Sequence, residues 1–162
     1  MSRRETVVLI HGLSETREMW AAQRACLRES VDVIAYDVRG FGASPTGAAN
    51  GSVAQFSDDL AQLLSAFGAG PAFLVGFSMG GVIAQRFALD FPGLVRALVL
   101  MASSSTVGRA GEAFFTQRID QVTSGGPEAL AAINAEDARG CLGPRGAHLL
   151  AVHQGKCEKD AQ

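Results

Sequence analysis

The chain lacks the features that would send it to a membrane or a polyanion. No apolar stretch in its 162 residues runs beyond several positions, whereas a membrane-spanning helix needs about 20. The amino terminus, MSRRETVVLIHG, has basic residues but too short an apolar run for a signal peptide. The reading is therefore a soluble, cytoplasmic chain with no membrane partner. Charge is thin as well: 19% of residues are charged and the formal net charge is -2, which supplies no basic field for nucleic acid. Cysteine is sparse. Cys26, Cys141 and Cys157 are odd in number and have no CxxC spacing, which argues against a metal or redox site and for reduced thiols. The length suits one domain with a sizeable core and is short for two ordinary ones.

What the chain does have is a recurrent short apolar run. TVVLI at 6–10, VDVIAY at 31–36, AFLVGF at 72–77 and VRALVLM at 95–101 read as strands. They scarcely alternate polar with apolar, as expected of strands covered on both faces of a parallel sheet. The segments between them are long enough for crossover helices. The clearest opens with Ser52 as N-cap, carries Val53, Phe56, Leu60, Leu63, Leu64 and Phe67 on one stripe, and stops at Gly68. A second helix follows Ser78, with Ile83, Phe87 and Phe91 at i, i+4, i+8, and ends before Pro92. A third spans about Met19–Leu27. Strands and helices in this order predict an α/β fold, a parallel sheet with helices on both faces.

Gly76-Phe77-Ser78-Met79-Gly80 lies where the third strand hands over to a helix. A bare G-x-S-x-G is a weak pattern, but in this context it matches a strained turn that lifts the Ser78 hydroxyl off the strand end. Gly76 and Gly80 lack the Cβ atoms that would collide as strand and helix close. The helix also points its first N–H groups at that place, which favours developing negative charge. His11 and Gly12 come directly after the first strand, so their loop opens at the same carboxyl edge of the sheet.

His11-Gly12, then YDVRGFGAS at 36–44, then GFSMGG at 76–81, in this order and at these strand ends, resemble the α/β-hydrolase superfamily and within it the esterase, lactonase and haloperoxidase-like branch. The resemblance covers about residues 6–138. It implies that Ser78 is the nucleophile, that the backbone N–H groups of Leu13 and Met79 form the oxyanion hole, and that the substrate is a small ester or lactone. It implies no metal and no organic cofactor. His11 is a structural loop residue by the same resemblance, since a catalytic base must reach Ser78 and be oriented by an acid. Asp37 and Arg39 read as scaffold for the Gly40-Phe41-Gly42 loop. Trp20 and Met19, candidates for a pocket wall, read as core.

After the fourth strand the text changes character. Residues 104–138 read as two helices, the first with Phe115, Ile119 and Val122 on a face and the second opened by Pro127 at N1; the resemblance makes them the start of a helical cap, following a hydrolase core at 1–103. The resemblance calls for two further strands that deliver an acid and a histidine, and nothing after Met101 has the needed apolar runs. Residues 139–162 form an atypical tail whose His148 and His153 have no strand before them to fix a base within reach of Ser78. The expectation is a truncated or frame-shifted end, a triad without acid and base, and impaired catalysis. The alternatives are perhydrolysis or C–C cleavage at the same elbow, or a non-catalytic remnant that self-associates through an uncovered sheet edge.

Overall fold

Four strands, β1 (Thr6–Ile10), β2 (Asp32–Tyr36), β3 (Ala72–Phe77) and β4 (Val95–Met101), form one sheet in the order β2-β1-β3-β4. Every pairing is parallel. The computed structural model describes residues 4–48 and 51–146. The register sets Val8 beside Ile34 on one side and Leu74 on the other, and Ile10 beside Gly76. β3 is thus an internal strand, and its carboxyl end holds the segment that leads into Ser78.

Three helices flank the sheet: α1 (Ala21–Leu27), α2 (Val53–Ala66) and α3 (Met79–Asp90). The expected helix at Met19–Leu27 is divided, because Arg17–Trp20 forms a 3₁₀ turn before α1 begins. α2 has the predicted ends. The Gln55 N–H donates to Ser52 Oγ at 3.2 Å. At the other end Gly68, at φ 57°, lets its own N–H reach the Ser65 carbonyl and the Ala69 N–H reach the Leu64 carbonyl, both at 2.8 Å. Such a left-handed glycine closes the last turn and satisfies two orphan carbonyls. The stripe, however, ends earlier than its periodicity suggests. Phe56, Leu60 and Leu64 are buried, whereas Phe67 is the C-cap residue and is 64% exposed.

α2 and α3 pack on one another and close the core. Val8, Ile10, Leu74, Leu60, Leu64, Ile83 and Phe87 join in one cluster, and the Phe87 and Phe91 rings lie 5.0 Å apart. The Ser57 hydroxyl, buried between the two helices, donates to Asp90 Oδ2 at 2.9 Å, and Arg86 holds the same carboxylate. Hydrogen bonding from Arg86, and after it from Ser57, lowers the Asp90 pKa. Trp20 is buried and Met19 half-buried. β4 pairs with β3 alone among the described strands and leaves Val99, Leu100 and Met101 between 43% and 49% exposed.

The chain divides at Ser105/Thr106 into two compact units. In the second, the helical hydrogen-bonding pattern runs from Arg109 to Gly146 as one element, α4, where two helices were expected. It is not straight. A straight helix would separate residues 118 and 136 by about 27 Å, yet Arg118 and Glu136 pair at 3.6 Å. The chain folds back at Gly126, whose φ of 62° is left-handed and costs a residue without Cβ little. The element also runs through residue 139, where the tail was expected to begin. His148, His153 and Cys157 lie outside the described residues. No described helix is long and apolar enough to cross a membrane.

Candidate active site

Ser78 stands between β3 and α3 with φ 50° and ψ −114°, a backbone conformation that L residues seldom adopt. Its N–H donates to the Met101 carbonyl at 2.9 Å, so β4 anchors the turn from outside. The glycines around it are explained by backbone proximity. A Cβ on Gly76 would run into the main chain of Gly80 and Gly81, and one on Gly80 would run into the carbonyls of Ile10 and His11. The ends of β1 and β3 and the start of α3 therefore meet with no room for a side chain. The same contact brings the loop after β1 to the serine: a Cβ on Gly12 would lie 3.4 Å from Ser78 Cβ and 2.9 Å from the Phe77 ring.

Two N–H groups stand free at this junction. Met79 is the first residue of α3, where an N–H has no intrahelical acceptor, and Leu13 lies in the turn after Gly12. Neither donates to an acceptor among the described residues. Met79 directly follows the half-buried Ser78, and Leu13 directly follows Gly12, where a Cβ would lie 3.4 Å from Ser78 Cβ.

His11 is at the same edge but is fully committed. Its Nδ1 pairs with the Gly12 carbonyl at 2.8 Å and its Nε2 accepts the Val38 N–H at 2.8 Å. Accepting at Nε2 requires the neutral Nδ1–H tautomer. Burial lowers its pKa and outweighs the Gly12 carbonyl and the Asp37 and Glu15 charges, which act the other way. The Phe41 ring stands edge-on to the imidazole at 5.5 Å. The ring is a strut between the ends of β1 and β2.

Asp37 and Arg39 do not pair with each other. Asp37 is buried and accepts the Arg17 N–H at 2.7 Å and the Ala43 N–H at 3.1 Å, while its own carbonyl takes the Ser44 hydroxyl. Gly42, at φ 51°, passes so close that a Cβ would strike this carboxylate. Arg39 instead forms a two-pronged pair with Asp59 of α2, at 2.7 and 2.6 Å, and this hydrogen bonding raises its pKa. The Asp59 partner escaped the sequence reading because a carboxylate on a helix face carries no local mark of its mate. Ser103 escaped it too. Its hydroxyl is buried against Gly81 with no hydrogen-bond partner among the described residues. The usable signal was its place two residues past β4, on the carboxyl edge of the sheet.

The structure thus brings together Gly12, Leu13, Gly76, Ser78, Met79 and Gly80, with His11 and Asp37 bracing the loops beside them and Arg39 tied to α2. It brings no imidazole or carboxylate pair to Ser78 among the described residues. Nor do those residues contain a cluster of three or more His, Cys, Asp or Glu placed to hold a metal ion. A groove lined by Thr6, Arg24, Arg28 and Asp32 opens at the amino ends of β1 and β2, away from the serine.

A strand-to-helix serine turn facing a glycine loop on a parallel sheet has clear counterparts among known proteins. Residues 5–141 match the family model described as alpha/beta hydrolase fold. The Escherichia coli protein named "Putative carbamate hydrolase RutD" is 35% identical over 127 residues, which are 78% of this chain and 48% of that protein. The solved structure of a thermophilic esterase from Thermogutta terrifontis is 30% identical with a TM-score of 0.73, over 84% of this chain and 51% of that one. That of Est816, described as an N-acyl homoserine lactone degrading enzyme, is 27% identical with a TM-score of 0.70, over 95% and 58%. The chain spans about half the length of the curated relatives it matches. By its sheet order, its serine turn and this match over most of its length, the chain belongs to the alpha/beta hydrolase fold family.

Proposed function

We propose that the site performs acyl transfer to water on a carboxylic ester or lactone, with Ser78 as nucleophile. The observation that carries this reading is the left-handed backbone of Ser78 with the Gly12 main chain against its Cβ. Ser78 Oγ attacks the carbonyl carbon, and the carbonyl π pair moves to oxygen. The N–H groups of Leu13 and Met79 receive the oxyanion at the positive end of α3. Collapse breaks the C–O bond to the leaving group, which departs as the alcohol with the proton that Oγ gave up; water then hydrolyses the acyl-serine, its oxygen passing to the acid and one of its protons to Oγ. The carbamate in the name of the Escherichia coli relative offers the same type of carbonyl. The helical segment from Arg109 serves in this reading as the beginning of a cap.

The serine is poorly activated. His11 has both ring nitrogens in use, and a hydroxyl without a general base is a weak nucleophile at neutral pH. Where a triad member is removed from a serine hydrolase, kcat falls by up to about 10⁶ and roughly 10³ to 10⁴ over water remains. We expect slow turnover of an activated aryl ester that Ser78→Ala changes little, and slow fluorophosphonate labelling confined to Ser78 by peptide mapping. Labelling spread over other serines would overturn the assignment of the nucleophile. Fast turnover abolished by Ser78→Ala would overturn the impairment and reveal a base.

A further inference from the structure

We infer that His11 is a positioning residue for the proposed oxyanion hole: its imidazole fixes the Gly12–Leu13 peptide plane, and with it the direction and the acidity of the Leu13 N–H. The inference rests on the reading of the serine turn as an acyl-transfer site.

The need for such a device comes from Gly12. A Cβ there would lie 2.9 Å from the Phe77 ring and 3.4 Å from Ser78 Cβ, so the position is held to glycine, the residue whose backbone turns most freely. The donor beside it needs an outside constraint. The Gly12 carbonyl and the Leu13 N–H belong to one planar trans peptide and point in opposite directions, so whatever fixes the carbonyl fixes the donor. Two groups hold that carbonyl: His11 Nδ1–H at 2.8 Å and the Glu15 N–H at 3.3 Å. The second bond closes a turn in which Ser14 takes the left-handed place, at φ 60°.

The shorter bond is the one with an anchor behind it. Val38 N–H, just past the end of β2, donates to His11 Nε2 at 2.8 Å, the ring is buried, and Phe41 stands edge-on to it. Val38 N–H, the imidazole, the Gly12 carbonyl and the Leu13 N–H form one chain of donors and acceptors, and each member polarises the next. Having both nitrogens in use unfits the ring to be a base for Ser78 and suits it to this task.

Two substitutions divide the links. In His11→Gln the side-chain oxygen stands where Nε2 was and accepts the Val38 N–H, while the donor to Gly12 is lost; in His11→Asn the side-chain N–H stands where Nδ1 was and the acceptor for Val38 is lost. Of the two, His11→Gln should keep the higher Tm and yet lose about tenfold in kcat on an activated aryl ester at unchanged KM, less than the roughly 10²- to 10³-fold cost of deleting an oxyanion donor. His11→Asn should have the lower Tm and the smaller loss of kcat. A strut alone would make rate follow stability, so the same order in both measures would overturn the inference.

Amide NMR of the native chain decides it without substrate and without a variant. The Leu13 and Val38 N–H resonances should move together as the His11 ring titrates, and the ring's own Cε1 proton separates that titration from those of Asp37 and Glu15, the carboxylates whose charges reach it. A Leu13 resonance that ignores the ring while Val38 follows it would overturn the inference. Labelling spread away from Ser78, with Leu13 still following the ring, would support the positioning and overturn the reading of the site.

Discussion

β3 and β4 are made of the same kinds of residue and have opposite surroundings. AFLVGF is enclosed by a strand on either side and by α3, and Leu74 is 0% exposed. Among the described strands VRALVLM has a neighbour on one side, and Val99 is 49% exposed. Apolar composition therefore records that a strand is built to be covered and is silent on what covers it. Truncating the two strands should separate these meanings most sharply. Leu74→Ala is expected to destabilise the fold by about 3 kcal/mol, from lost transfer energy and the cavity left behind. Val99→Thr, measured by denaturant unfolding, should stay within about 0.5 kcal/mol. Comparable losses at both positions would mean that β4 is as enclosed as β3.

The carboxyl ends of the strands differ in the same manner. The end of β1 is locked by His11, which satisfies Val38 N–H and Gly12 carbonyl at once, while at the end of β4 the buried Ser103 hydroxyl has no partner among the described residues. His11→Ala strands the Val38 N–H and is expected to cost about 2 kcal/mol. The lock is also pH-dependent. Burial lowers the His11 pKa below 6.5 in the fold, so the unfolded chain binds the extra proton first and stability rises with pH. The His11 contribution is complete above pH 6.5 and is lost as the pH falls through the interval below it. Melting temperatures at pH 7.5 and 5.5 should therefore differ in the native chain, and by less in His11→Ala; an equal difference in both would assign the pH response to other groups.

Much of the fold was legible because its punctuation is local. Ser52 and Gly68 mark the ends of α2, and Gly76, Ser78 and Gly80 mark a turn that few other residues could make. Parallel pairing followed from connections too long for hairpins. Illegible were the pairings that join distant residues. Arg39 and Asp59 are 20 positions apart and meet only because β2 and α2 are packed on one sheet. Phe67 fits the stripe of α2 by period and loses its cover because the helix has already ended. The fold-back of α4 was half legible: Gly126-Pro127 marked the break, but nothing local foretold that Arg118 and Glu136 would meet.

The smallest expected effect concerns strain at the two ends being compared. Among the described residues three other than glycine have left-handed φ, Ser14, Ser78 and Ala102, and each follows a strand at the carboxyl edge, after β1, β3 and β4. An L residue held there costs about 1 kcal/mol, and sites where a fold maintains such strain are commonly sites of function. At Ser78 the strain presents the proposed nucleophile. At Ala102, which is exposed, it ends β4 and turns Ser103 in against Gly81. Ala102→Gly removes the steric penalty, part of which is offset by the greater freedom of glycine in the unfolded chain. The expected net gain is about 0.5 kcal/mol, a rise of roughly 1–2 °C in Tm for a chain of this length. Because the gain acts through backbone strain alone, Ala102→Ser should give none of it. A loss of stability in Ala102→Gly would show that this turn is held by contacts of the alanine methyl and that the ends of β3 and β4 are strained for different reasons.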